Sequence, residues 1–132
     1  MTDEPDDLAA RAVELAQDML DLARHGRTDR LVQLVDAGIP VNMRDSSGNS
    51  LLMLAAYHGH AETVSALVAR GADVDQLNDR GQSPLAGVVF KGEDAVVRVL
   101  LDAGADPDLG TPSARATAQL FERPDLIPPR SV

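Results

Sequence analysis

Glycine recurs along this chain at a fixed interval. Gly26, Gly59 and Gly92 stand 33 residues apart, Gly38, Gly71 and Gly104 repeat that step, and Gly48 and Gly81 take it once more. A fixed period of this length is the signature of a solenoid, in which each unit buries its apolar face against its neighbours rather than within itself. The apolar residues keep the same step: Leu31, Val64 and Val97; Leu34, Leu67 and Leu100; Val35, Val68 and Leu101; Met19, Leu52 and Leu85; Ala23, Ala56 and Val89. An accidental spacing of glycines would not carry its apolar neighbours with it, so these five rows are expected to form the core.

Each period reads as a turn followed by two antiparallel helices. Ser50 is placed to cap a helix from Leu51 to about His58 that Gly59 stops, and a second helix from about Ala61 to Arg70 ends at Gly71. Glycine just past a helix enters the left-handed region without steric cost. In the following unit Ser83 caps, Pro84 takes the first helical position, where its missing N–H is harmless, and Gly92 and Gly104 mark the stops. The stretch from Ala72 to Gly81 between units alternates and ends in turn residues, as an extended loop or short hairpin does.

On these residues the chain resembles the ankyrin-repeat proteins. Residues 45–77 carry Gly48-Asn49-Ser50-Leu51-Leu52-Met53-Leu54-Ala55-Ala56-Tyr57-His58-Gly59-His60, then Val64, Leu67 and Gly71-Ala72-Asp73-Val74-Asp75, and residues 78–110 are similar. Residues 19–44 resemble the same repeat with its opening turn replaced by helix, and residues 111–123 resemble a final first helix, so the likeness covers about four fifths of the chain. The resemblance implies an all-α solenoid of stacked helix-turn-helix units with short inter-repeat hairpin loops. The chain departs from the family where Thr-Pro-Leu-His is usual: Ser50-Leu51-Leu52-Met53 and Ser83-Pro84-Leu85-Ala86 stand there, without the histidine that ties the turn together. The serines should still cap.

A solenoid needs caps, because its terminal units have one naked apolar face. Leu8, Ala12, Leu15, Met19 and Leu22 give the period of an amphipathic helix from Asp7 to about Arg24, with Asp6 or Asp7 as N-cap. At the other end Thr111-Pro112-Ser113 is placed to start a helix to about Glu122 that buries Ala118 and Phe121, before Pro124, Pro128 and Pro129 forbid continuation. The expected organisation is an acidic tail over 1–6, one repeat domain over 7–123 (capping repeat 7–44, repeats 45–77 and 78–110, capping helix 111–123), and a loose Pro-rich tail over 124–132.

The resemblance places the binding surface on the concave face, made of the inter-repeat loops and the exposed side of each first helix. The row at the end of that helix reads Arg24, Tyr57, Phe90 and Arg123, again at 33 residues, with His25, His58 and Lys91 beside it. Two of the chain's three aromatic residues fall in this row, and Tyr and Arg are enriched at interface hot spots because each joins a large contact area to a polar handle. Ser46, Ser47, Asn49, Asp79, Arg80 and Gln82 are the candidate loop contacts, with Arg44 beside them. The net charge is −9, yet residues 1–22 carry seven acids against Arg11 while the bases gather on the proposed groove. A basic groove suggests a partner that presents carboxylates.

Other chemistry finds little support. The chain has no cysteine, hence no disulfide framework, thiolate metal site or thiol nucleophile. Neither Gly48-Asn49-Ser50 nor Gly81-Gln82-Ser83 continues into a nucleophile elbow, and there is no phosphate-binding glycine loop. His58 and His60 are two imidazoles without a third ligand nearby, and the pairs Asp73 with Asp75 and Asp106 with Asp108 lack the rest of an EF-hand loop. A pI near 4.6 disfavours nucleic acid, and no apolar run approaches a membrane span. The expectation is a cytoplasmic, monomeric, non-catalytic bacterial protein with no cofactor or metal that binds another protein through its groove. The alternative is an acidic shield that holds a basic partner on its N-terminal helix; a small hydrolase or metal-dependent enzyme is the remaining reading.

Overall fold

The computed structural model describes residues 5–129, with the side chains of residues 5–8 left outside that description. Seven α-helices follow in order among the described residues: α1 Pro5–Arg24, α2 Thr28–Asp36, α3 Leu51–Tyr57, α4 Ala61–Val68, α5 Pro84–Lys91, α6 Asp94–Asp102 and α7 Ala114–Leu120, then a 3-10 turn at Pro124–Leu126. They stack in two layers. The inner layer is α1, α3, α5 and α7, each packed on the next; the outer layer is α2, α4 and α6; and each of the first three inner helices packs on the outer helix that follows it.

The inner helices are short because both ends are chemically marked. Ser50, Ser83 and Ser113 sit at the N-cap in extended conformation, and their hydroxyl oxygens accept from the backbone N–H of Met53 (3.0 Å), Ala86 (3.1 Å) and Ala116 (3.1 Å). Such a cap contributes about 1 kcal/mol. In α3 every residue from Leu51 to Ala56 is buried, because the helix is covered on both sides by its inner neighbours and behind by α4. Three of the five apolar rows are wholly buried: Met19, Leu52 and Leu85; Ala23, Ala56 and Val89; Leu31, Val64 and Val97. Leu67 and Leu100 are buried too, whereas Leu34 is half-buried on α2, an end helix of the outer layer; Val35, Val68 and Leu101 pack against the core from its margin. Each fully buried aliphatic side chain stabilises the fold by about 1.5–3 kcal/mol relative to exposure.

The loops double back without forming strands. Asp45 N–H donates to the Asn49 carbonyl (2.9 Å) and Asn78 N–H to the Gln82 carbonyl (3.0 Å), closing tight turns; the bridge from Arg44 to Ser50 is isolated. Adjacent loops are tied together by Asp79 N–H to the Ser47 carbonyl and Thr111 N–H to the Gly81 carbonyl, both 3.0 Å. Asp73 N–H donates to Asn42 Oδ1 (2.8 Å) and Asp106 N–H to Asp75 Oδ1 (2.9 Å), so Asp73, Asp75 and Asp106 are turn residues that link units.

Both ends differ from the sequence expectation. Helix α1 begins at Pro5, so Asp6 and Asp7 lie in its first turn rather than at the N-cap, with Pro5 in the opening position that suits a residue lacking an N–H. Leu8 lies outside the described side chains, and residues 1–4 and 130–132 lie outside the described residues. Helix α7 stops at Leu120, two residues early, and Phe121 is exposed while Ala118 is buried as expected. The segment after it folds back rather than trailing away: Ile127 is buried, Leu126 packs on the core, and the Arg115 guanidinium donates to the Pro128 carbonyl at 2.8 Å. Arg115 occupies the place of Leu52 and Leu85, second after the cap, and so turns a polar side chain onto the end of the stack.

Candidate functional site

The unit step changes once. Ser50 and Ser83 are 33 residues apart, but Ser113 follows after 30, because the step from Gly104 to Ser113 is nine residues where that from Gly71 to Ser83 is twelve. Counting from the caps reassigns the C-terminal residues. Leu120, not Arg123, is the seventh residue after its cap and continues the row of Tyr57 and Phe90. Phe121 follows His58 and Lys91. Glu122, with φ +57, stands where Gly59 (φ +80) and Gly92 (φ +76) stand in the other turns. Arg123 falls in the row of His60 and Glu93, each the N-cap of the element that follows. Arg123 therefore leaves the groove: its guanidinium is held by Asp94 (3.1 Å) and Asp125 (3.2 Å), whose hydrogen bonds raise its pKa.

The resulting groove runs over α3, α5 and α7 and has a volume of about 600 Å³. Its floor is Met53, Leu54, Ala86, Gly87 and Thr117; Tyr57, Phe90, Leu120 and Phe121 rise from the helix ends; Ser47, Asn49, Asn78, Arg80 and Gln82 form the loop side. All three aromatic residues of the chain thus meet here. Tyr57 is 42% exposed, Phe90 60%, Leu120 77% and Phe121 48%. Val13 on α1 is the one other large apolar residue so exposed among the described residues. Contiguous exposed apolar residues mark contact sites far better than scattered ones.

The rings are held by local contacts. Phe90 and Phe121 meet edge to face with centroids 5.6 Å apart, and Tyr57 meets His58 in the same way at 5.8 Å. The Lys91 ammonium lies 4.7 Å from the centre of the Tyr57 ring, a cation–π contact. The loop wall is pre-ordered by Asn78, whose side-chain amide donates to Asn49 Oδ1 (3.0 Å) and Gln82 Oε1 (2.8 Å) while its carbonyl oxygen accepts from the N–H of Arg80 and of Gln82, both 3.0 Å. In the preceding loop Asp45 does the same work, accepting from the N–H of Ser47 and of Asn49, both 2.9 Å.

Of the residues singled out in the sequence, Ser47, Asn49, Tyr57, Arg80, Gln82 and Phe90 line the groove. His58 and Lys91 touch Tyr57 at its edge. Arg24 is half-buried and paired with Asp21 (2.8 Å). Arg24 and His25 lie close enough to His58 to join His60 and Lys91 in lowering its pKa below the usual 6.5, after the larger effect of desolvation. Arg44, Ser46 and Asp79 are exposed but outside the lining, and Asp79 instead ties two loops together. His60 turns away to a structural post: its Nε2 lies 2.8 Å from the Arg24 carbonyl, and its ring fills the space where a Cβ on Gly26 would sit. Among the described residues no group of acids and histidines is arranged to hold a metal ion, and no helix is long and apolar enough to cross a membrane. Sequence reasoning missed Asn78, Gly87, Leu120 and Phe121. The cap serine Ser113 was the signal that would have found the last two.

A family model for ankyrin repeats in three copies matches residues 19–111. A protein of Pseudomonas aeruginosa, named as an ankyrin repeat protein, is 51% identical over 58 residues, covering 43% of this chain and 34% of that relative, so the chain spans about a third of the length of the curated relative it matches. Serine-capped inner helices, left-handed turns at a 33-residue step and a family match over most of the chain agree, and the chain belongs to the ankyrin-repeat family.

Proposed function

We propose that this protein is a non-catalytic interaction module that grips a segment of a partner protein in the groove over α3, α5 and α7, and thereby regulates, scaffolds or shields that partner. Ankyrin repeats are in general protein-interaction modules. The observation that carries the assignment to this surface is the convergence of Tyr57, Phe90, Leu120 and Phe121 on one groove whose loop wall is already ordered by hydrogen bonds. Exposed aromatic anchors beside ordered polar groups are the usual composition of an interface hot spot, and the stiffness of the stack lowers the ordering cost of binding. The acidic α1 is the weaker candidate, because Val13 is its single exposed large apolar anchor among the described residues.

Affinity capture from a native cell lysate, followed by calorimetry on the purified partner, tests this reading. Phe90→Ala with Leu120→Ser should weaken binding at least about tenfold, the loss of one hot-spot residue or more. Unchanged affinity in the folded variant would remove the groove as the site, and loss on truncating α1 instead would assign it to the acidic helix.

A further inference from the structure

Cations in a chain of net charge −9 have no shortage of carboxylates to pair with. Away from the groove several of them do so: Arg70 binds Asp36 at 2.9 Å, Arg115 binds Asp108 at 2.8 Å, and Arg123 binds both Asp94 and Asp125. Others do not, among the described residues: Arg27, Arg30, Arg44 and Arg98 outside the groove lining, and a group beside the groove. Arg80 on the loop wall, and His25, His58 and Lys91 along the helix ends, make no ion pair with a carboxylate among the described residues. Lys91 instead lies over the Tyr57 ring, and Arg24 is the one member of the edge already neutralised, by Asp21. A cation at the last turn of a helix is favoured by the helix dipole, which accounts for Lys91 but for neither Arg80 nor the crowding of His25 and His58. Desolvation, and after it the neighbouring His60, Lys91, Arg24 and His25, lower the pKa of His58.

The floor between these two positive edges is apolar and contains one feature that works against the helix it belongs to. Gly87 sits inside α5 with ordinary helical backbone, where glycine costs about 1 kcal/mol relative to alanine. A Cβ there would meet the Tyr57 ring at an ordinary 3.7 Å, so packing does not demand the glycine. Its effect is to deepen the groove between Tyr57, Phe90 and the loop wall.

Resting on the groove reading above, we infer that the occupant is an acidic, apolar segment: bulky apolar side chains enter the floor over Gly87, and flanking Asp or Glu side chains meet the Lys91 ammonium on one edge and the Arg80 guanidinium on the other. The apolar anchors supply most of the affinity and the charges select the partner and speed its approach. A basic segment would face the same cations without compensation.

Selection of a random peptide library displayed on phage against the whole chain tests this directly, since every sequence class competes for the groove at once. Enriched peptides should combine Asp or Glu with Leu, Phe or Tyr. A synthetic copy of the strongest should bind about tenfold more weakly to the Arg80→Glu/Lys91→Glu variant and lose affinity as salt rises, as exposed charge pairs do. Gly87→Leu should block it, while circular dichroism verifies that each variant is folded. Enriched peptides that need Phe90 and Leu120 but carry no excess of acid, or that ignore the charge reversal, overturn the acidic occupant and leave the groove standing. Peptides indifferent to Phe90→Ala/Leu120→Ser, or no enrichment at all, overturn both.

Discussion

The turn after α3 and the turn after α7 make the same bend with different residues. After α3 the chain passes through Gly59 at φ +80 and enters α4 at His60, whose ring reaches back to the Arg24 carbonyl; after α7 it passes through Glu122 at φ +57 and enters the 3-10 turn at Arg123, which reaches back to Asp94. The middle turn uses glycine where the backbone is left-handed and a flat ring where the space is narrow. The last turn uses a charged residue in a conformation that costs a side chain about 1–2 kcal/mol. The backbone geometry is set by the packing of the helices on either side, so it survives when the residue that suits it is replaced. A period counted on glycines loses the last unit, whereas one counted on caps does not.

Breaking the seat that the His60 ring finds in the turn before α2 should have the largest effect. In Gly26→Ala the new Cβ would sit 2.6 Å from His60 Nδ1 at a left-handed φ of +67, so a loss of about 2–3 kcal/mol in urea unfolding is expected. Adding His60→Ala should relieve the clash but not the backbone strain; a double variant no more stable than the single one would show that the ring yields freely. Mending the worse-fitted turn should have a smaller effect of opposite sign. Glu122→Gly is expected to raise the unfolding free energy by about 0.5–1 kcal/mol, and a neutral or destabilising result would mean that the Glu122 side chain contributes more than its backbone costs.

The smallest effect concerns His58, the residue that closes α3 just before the Gly59 turn. The pKa of His58 lies below 6.5 in the folded chain, so the unfolded chain takes up its proton first as pH falls. Stability should therefore be unaffected by this group above about pH 7 and decline as pH drops from 6.5 through the folded value. Thermal melts between pH 7 and pH 5 should show a shallower decline for His58→Gln than for the native chain. Identical slopes would mean that neither burial nor the surrounding charges perturb His58.

Much of this was legible in the sequence. The 33-residue step, the cap serines and the apolar rows specify the two-layer stack, and the small burial differences at Leu34 and at the margin row follow from position in the layer. Tyr57 and Phe90 were legible as surface residues because the resemblance to ankyrin repeats places the row at the end of the first helix on the concave face. Phe121 was not. An aromatic residue in a terminal helix reads as core, and it is exposed because the shortened loop advances α7 by three residues, so that Ala114 and Ala118 take the buried positions.

What the sequence determined by itself is local and periodic: where helices start, where the chain turns left-handed, and which residues have no purpose except burial. Those follow from hydrogen-bonding at caps, glycine backbone freedom and hydrophobic spacing, all of which act over a few residues or repeat at one interval. The tertiary structure decided which side chains share a surface. It joined Phe121 to Phe90, set Lys91 over Tyr57, moved Arg123 to Asp94 and ordered the loop wall through Asn78. These contacts link residues from different units, and they depend on how far each unit is displaced along the stack, a distance fixed by packing rather than by residue count.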